Sequence, residues 1–139
     1  MTTSSKSAAA TASPRPRRAP ARTGGEGKGE GARALRESDI ERYLVRRVRE
    51  CFGKAALCRK VTWQGRRSAP DRVVMLPYIF GTMRSQVNTA WVELKKPGEK
   101  PTPAQRAEHL RMGRAGQCVW VLSSKEDVDY FVRTIGGEE

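Results

Sequence analysis

The chain has 139 residues, with 27 Lys and Arg against 15 Asp and Glu and a formal net charge of +12 at neutral pH. This length holds one modest domain, with or without a tail, and excludes two full-sized domains. No apolar run approaches the roughly 20 residues of a membrane span, and three cysteines, one histidine and no C-x-x-C argue against a disulfide scaffold or a zinc finger.

Residues 1–36 are built from Ala, Ser, Thr, Gly, Pro and Arg and hold no aromatic residue. Such a segment cannot bury enough apolar surface to offset its ordering entropy, so it is expected to be a disordered basic arm. It carries 8 Lys and Arg against 2 Asp and Glu, half of the net charge. It lacks both a secretory apolar stretch and the amphipathic stripe of an organelle transit peptide. With free thiols, the expected setting is the reducing cytoplasm. The excess of positive charge favours a phosphate polymer as partner, by Coulomb attraction and counterion release.

A packed domain is expected over Glu37–Glu139. Ser38 and Glu41 have the spacing of a capping box, and Ile40, Leu44, Val45, Val48 and Phe52 recur at helical intervals, which predicts a helix over Asp39–Phe52 stopped by Gly53. Leu57–Trp63 alternates as a half-buried strand, and Gln64–Pro70 reads as a basic, turn-rich loop. Asp71–Leu76 reads as a short buried strand stopped by Pro77. A connection over Tyr78–Thr89 leads to a strand over Ala90–Lys95 that Pro97-Gly98 ends. Thr102-Pro103-Ala104-Gln105 has the cap, the first-turn proline and the capping-box glutamine of a helix that runs to about Met112. Gln117–Leu122 follows as a strand. Ser124 caps a last helix over Lys125–Thr134, with Val128, Phe131, Val132 and Ile135 on one face. The order α-β-β-β-α-β-α implies an α/β domain with a mixed central sheet flanked by helices. Cys51, Cys58, Cys118 and the tryptophans Trp63, Trp91 and Trp120 are expected in or near the core, and His109 as an exposed or half-buried helix residue without metal-ligand partners.

Strand alternation sets Glu93 and Lys95 on one face, with Leu94 pointing the other way. Asp71 opens the preceding strand after Pro70, so two carboxylates can converge from neighbouring strands. Hard oxygen ligands of this kind suit Mg²⁺ or Mn²⁺, which bind substrate phosphate and keep waters. A lysine beside them can orient a water or neutralise charge on a phosphodiester. Glu41 can add a third carboxylate, in competition with its capping role. Arg66, Arg67 and Arg72 are the candidate phosphate contacts. Charge alone leaves a second class open, a non-catalytic basic nucleic-acid-binding protein.

With Glu41 on a first helix, Pro70-Asp71-Arg72, Trp91-Val92-Glu93-Leu94-Lys95 and then Pro97-Gly98-Glu99-Lys100-Pro101-Thr102-Pro103-Ala104-Gln105, the chain resembles the VRR-NUC (virus-type replication-repair nuclease) domain of the PD-(D/E)XK nuclease superfamily. The likeness runs from about Asp39 to Val132. It implies a restriction-endonuclease-like core and a metal-dependent DNA endonuclease. Asp71, Glu93, the Leu94 backbone carbonyl and Glu41 would be the metal ligands, Lys95 the catalytic lysine, and Gln105 the helix glutamine near the active site. It also implies a phage or bacterial setting, with some relatives acting as dimers on branched DNA such as four-way junctions. One departure is Ser68, where the family usually has the glycine of a G-x-P-D pattern; a turn needing positive φ there would be strained.

Overall fold

The computed structural model describes residues 33–77 and 88–137. Most of the expected basic arm and of the Tyr78–Thr89 connection lies outside the described residues. The elements are α1 (Glu37–Phe52), β1 (Leu57–Lys60), β2 (Arg72–Met75), β3 (Thr89–Leu94), α2 (Pro103–Arg114), β4 (Val119–Leu122) and α3 (Lys125–Ile135). The strands form one sheet in the order β1-β2-β3-β4. β1 to β3 are antiparallel neighbours and β4 joins β3 in parallel, so the sheet is mixed as expected.

The sheet has two unlike faces. Val74, Ala90, Val92, Leu94, Trp120 and Leu122 point to the apolar side, where the stripe Ile40, Leu44, Val48 and Phe52 of α1 meets Val128, Phe131, Val132 and Ile135 of α3. The four-residue spacing in α1 keeps these side chains on one line of the helix. Val45, expected in that stripe, lies beside it and is 38% exposed. Trp120 meets the Phe131 ring edge-on, with centroids 5.2 Å apart. Asp129 ties the two helices together at the rim: its carboxylate accepts from Tyr43 Oη at 2.9 Å and from Arg47 Nε at 2.9 Å. Leu35, on the arm side of the expected boundary, also packs against this core.

Three local expectations are corrected. First, α1 begins two residues earlier than the Ser38–Glu41 box requires. The Asp39 carboxylate instead accepts from the Arg36 N–H at 2.9 Å and from Arg42 Nη2 at 2.8 Å. The backbone bond to Arg36, more than the neighbouring arginines, holds Asp39 below the usual aspartate value. Ser38 and Glu41 are thus inside the helix, and Glu41 is free of the cap. Second, β1 stops at Lys60, so Trp63 sits in the loop before β2 and not in a strand. Third, Cys51 is exposed on α1, whereas Cys58 and Cys118 are half-buried against the core. Burial pushes the Cys58 thiol up to about 11, which leaves it unreactive at neutral pH.

Phe131 is wholly buried at the centre of this core. Phe131→Ala should lower unfolding stability by about 3–5 kcal/mol. Urea denaturation followed by tryptophan fluorescence measures the loss.

Candidate active site

The opposite face of the sheet carries the polar cluster. Registers Arg72 to Val92 and Val73 to Trp91 pair β2 with β3, and extending them by one pair sets Asp71 across from Glu93. Residues directly opposite in an antiparallel pair share a face, so the two carboxylates meet. Glu93 is 5% exposed and Lys95, two residues on, is 8% exposed. Lys95 Nζ lies 3.6 Å from Glu93 Oε1 and 4.0 Å from Glu99 Oε1. Its backbone is held in turn, since the Lys95 N–H donates to the Leu122 carbonyl at 3.0 Å and prolongs the parallel pairing past the end of β3.

Asp71 is seated by the loop that precedes it. Pro70 is fully buried, and its carbonyl accepts from the Trp63 indole Nε1 at 2.7 Å. The Trp63 ring rests against Trp91 of β3, centroids 5.2 Å apart. The Val61 N–H donates to the Asp71 carbonyl at 2.8 Å. Among the described residues no residue other than glycine has positive φ. Ser68 therefore takes the place of the family glycine without strain, and the left-handed turn of the loop falls at Gly65, φ +70°.

Burial, followed by the like charge of Glu93 and then that of Glu37, raises Asp71 above the usual aspartate value, against a smaller opposing pull from backbone amides. Glu37 is thus the acid of α1 whose charge reaches the site. Glu41, expected as a metal ligand, is turned elsewhere: its carboxylate pairs with Arg72. The reason is alternation. With Asp71 on the polar face, Arg72 points to the other, where α1 lies. Arg72, expected as a phosphate contact, has its side chain 11% exposed and is neutralised by Glu41. Arg66 and Arg67 remain exposed on the loop, and Arg66 Nη1 lies 3.7 Å from Glu108 Oε2 on α2.

Gln105 makes contacts to both the helix cap and Glu93. Its backbone N–H donates to Thr102 Oγ1 at 3.2 Å, and its Oε1 accepts from the Thr102 N–H at 2.9 Å, closing the capping box. Its Nε2 donates to Glu93 Oε1 at 2.8 Å. The carboxamide has an acceptor for the cap and a donor for the acid, so neither role displaces the other. One turn further on, His109 is buried, contrary to expectation, with Nε2 3.9 Å from Glu93 Oε2. Glu37 and His109 are the site residues that sequence reasoning missed. Each had a signal: Glu37 precedes Glu41 by one helical turn, and His109 follows Gln105 by one.

Among the described residues no three His, Cys, Asp or Glu side chains are gathered tightly enough to form a ready-made metal cage. The test of fit is therefore the donor set itself. Asp71 Oδ1 and Glu93 Oε2 are buried acceptors without a hydrogen-bond donor. Two such oxygens, of like charge and on facing strands, match a hard divalent cation of the Mg²⁺ type, which takes one or two carboxylates and completes its shell with water and phosphate. The residues fit the group.

No family model matches the chain. A protein of Acyrthosiphon pisum secondary endosymbiont phage 1 named "Putative nuclease p44" is 43% identical over 94 residues, which cover 68% of this chain and 89% of that protein. A solved structure titled "VRR_NUC domain" superposes with a TM-score of 0.57 at 33% identity, over 70% of this chain and 94% of that one. Sequence and three-dimensional likeness thus agree with the mixed sheet and its flanking helices, and the chain belongs to the VRR-NUC family, with its restriction-endonuclease-like fold.

Proposed function

We propose that the protein is a divalent-metal-dependent nuclease that hydrolyses DNA phosphodiester bonds, with Asp71, Glu93 and Lys95 as its reacting centre. The observation that carries this reading is the facing pair Asp71 and Glu93, each with a buried oxygen lacking a donor, beside the buried Lys95. A relative named as a nuclease adds independent support.

Asp71 and Glu93 would hold Mg²⁺ or Mn²⁺, with the Leu94 carbonyl as the backbone ligand that the family likeness implies and Glu37 adding negative charge from α1. The bound cation would supply a more acidic water and positive charge against the scissile phosphate. Gln105 binds Oε1 of Glu93 and so leaves Oε2 directed at the site. Lys95, kept beside Glu93, donates from Nζ to the phosphate oxygen on which negative charge builds. Arg66 and Arg67 bind flanking phosphates, with the basic N-terminal arm adding looser contacts. The phage relative supports work in the cytoplasm of a bacterial host. A preference for branched DNA extends the reading, and paired cuts at a four-way junction would require a dimer, because each subunit brings one site.

Cleavage of labelled duplex, single-stranded, flap and four-way-junction DNA should require Mg²⁺ or Mn²⁺ and stop in EDTA. Asp71→Ala and Glu93→Ala should abolish it while folding and DNA binding persist, and Lys95→Ala should slow it by roughly 10²-fold or more. Metal-independent binding without any cutting would establish the non-catalytic alternative instead.

Gln105→Glu separates the two roles of that residue. The cap survives, because a glutamate oxygen can still accept from Thr102, but Glu93 now faces a second carboxylate. Circular dichroism should stay at the wild-type level while cleavage falls by about 10- to 100-fold, the range typical of groups that orient a ligand.

Asp71 also sets a pH signature. A carboxylate raised in the folded state favours folding while it is protonated, and that contribution is lost as pH rises through the folded value. Ionised Asp71 therefore costs stability near neutral pH. Asp71→Asn should raise Tm at about pH 7, with no gain left at about pH 3, below the ordinary aspartate value. Adding Mg²⁺ should raise the wild-type Tm and leave that of the variant unchanged; differential scanning fluorimetry reads both.

A further inference from the structure

α2 docks in an unusual way. Among its described residues His109 alone is buried, and no apolar side chain of the helix is. Leu110, its neighbour, is 51% exposed. A helix normally buries an apolar stripe, whereas this one turns a glutamine and a histidine, one turn apart, toward a single carboxylate. Burying an imidazole costs free energy that a leucine in the same place would not incur. His109 Nε2 and Glu93 Oε2 are both buried without a hydrogen-bond partner, 3.9 Å apart. The two oxygens of Glu93 thus face two prongs of one helix: Oε1 meets Gln105 Nε2 at 2.8 Å, and Oε2 faces His109 Nε2.

We infer that His109 is a positioning residue of the active site, which with Gln105 clamps the Glu93 carboxylate from α2 and fixes the direction in which Oε2 presents its lone pairs to a divalent cation. The inference rests on the reading of Glu93 as a metal ligand. The clamp acts on orientation. A carboxylate on a strand end can rotate about its last torsion with little hindrance, and a single hydrogen bond from Gln105 leaves that rotation partly open. An imidazole wedged on the other oxygen closes it. Groups of this kind, which hold a ligand without touching the ion, typically contribute 10- to 100-fold in metal affinity or activity.

The test uses the full-length protein and Mn²⁺ alone, titrated calorimetrically in the absence of DNA, followed by cleavage kinetics at saturating Mn²⁺. His109→Leu keeps the volume and removes the polar atom. It should fold with a Tm at or above wild type, bind Mn²⁺ about 10-fold or more weakly, and lower kcat with KM for DNA unchanged. His109→Gln, which restores a donor of similar reach, should recover most of the Mn²⁺ affinity. Wild-type Mn²⁺ affinity and kcat in a folded His109→Leu would overturn the inference. Should that variant not fold, His109→Gln and His109→Asn decide: the longer amide reaches Glu93 and the shorter does not, so a gap in Mn²⁺ affinity supports the clamp and equal affinity refutes it. Absence of Mn²⁺ binding by the wild-type protein would overturn the metal-site reading itself, and the clamp with it, an outcome distinct from normal wild-type binding that the substitutions fail to change.

Discussion

Two like charges set opposite each other on paired strands are the constraint around which this molecule is arranged. Asp71 and Glu93 share a face by register, both are drawn at least partly out of solvent, and burial together with the charge of Glu93 raises the cost of ionising Asp71. Nothing in folding favours that pairing. It persists because the other face of the same strands is fixed by Val74, Val92 and Leu94 in the core, and a strand cannot slip by one residue without turning its whole apolar set to the wrong side. The apolar face thus holds the polar face in an arrangement that it would not adopt by itself. A site of this kind is expected to lower stability in exchange for a place where a cation and a phosphate are wanted.

The supports of the site are shared with the scaffold, which explains why few residues suffice. Gln105 closes the cap of α2 and holds Glu93 with the two ends of one amide. Trp63 braces Trp91 and pins the carbonyl of Pro70, so the loop that delivers Asp71 is anchored to the strand that delivers Glu93. Arg72 and Glu41 tie β2 to α1 directly behind Asp71. In each case a group that fixes a residue of the candidate site, or the strand that carries it, also joins two elements of the fold. Rigid support of this kind is what a site needs if its ligands are to stay within a fraction of an ångström of working geometry.

How much of this was legible in the sequence depends on the range of the determining interaction. The seven elements follow from local signals: the Thr102 and Ser124 caps, the spacing of apolar residues in the first and last helices, and Pro77 and Pro97-Gly98 as stops. Strand alternation and one hairpin return bring Asp71, Glu93 and Lys95 to a common face, whereas Gln105 enters through the family resemblance, and its amide does reach Glu93. Where a local signal misleads, a competing interaction decides. Asp39 outcompeted Ser38 for the start of α1 because its carboxylate also binds Arg42, and that shift released Glu41 to Arg72. The alternation that joined Glu93 to Lys95 also sends Arg72 away from Asp71, so its pairing with an acid of α1 could have been derived. The burial of His109 had only one mark, its place one turn after Gln105, since it depends on how α2 lies over the sheet and no apolar stripe marks that side of the helix.

The line Glu37, Glu41 along α1 shows how one helix serves both faces of a strand. The two acids are one turn apart on the same side of the helix, and the end of β2 runs beside them. Glu37 adds its charge to that felt by Asp71, whereas Glu41 neutralises Arg72, the next residue along. Successive residues point to opposite faces, so the helix pairs with the base Arg72 on its own side while the charge of Glu37 is felt by Asp71 on the other. The pairing of Glu41 with Arg72 joins α1 to the strand. Glu41, expected among the metal ligands, is thus engaged by the base behind the site, while the acid one turn before it on the helix is the one whose charge Asp71 feels.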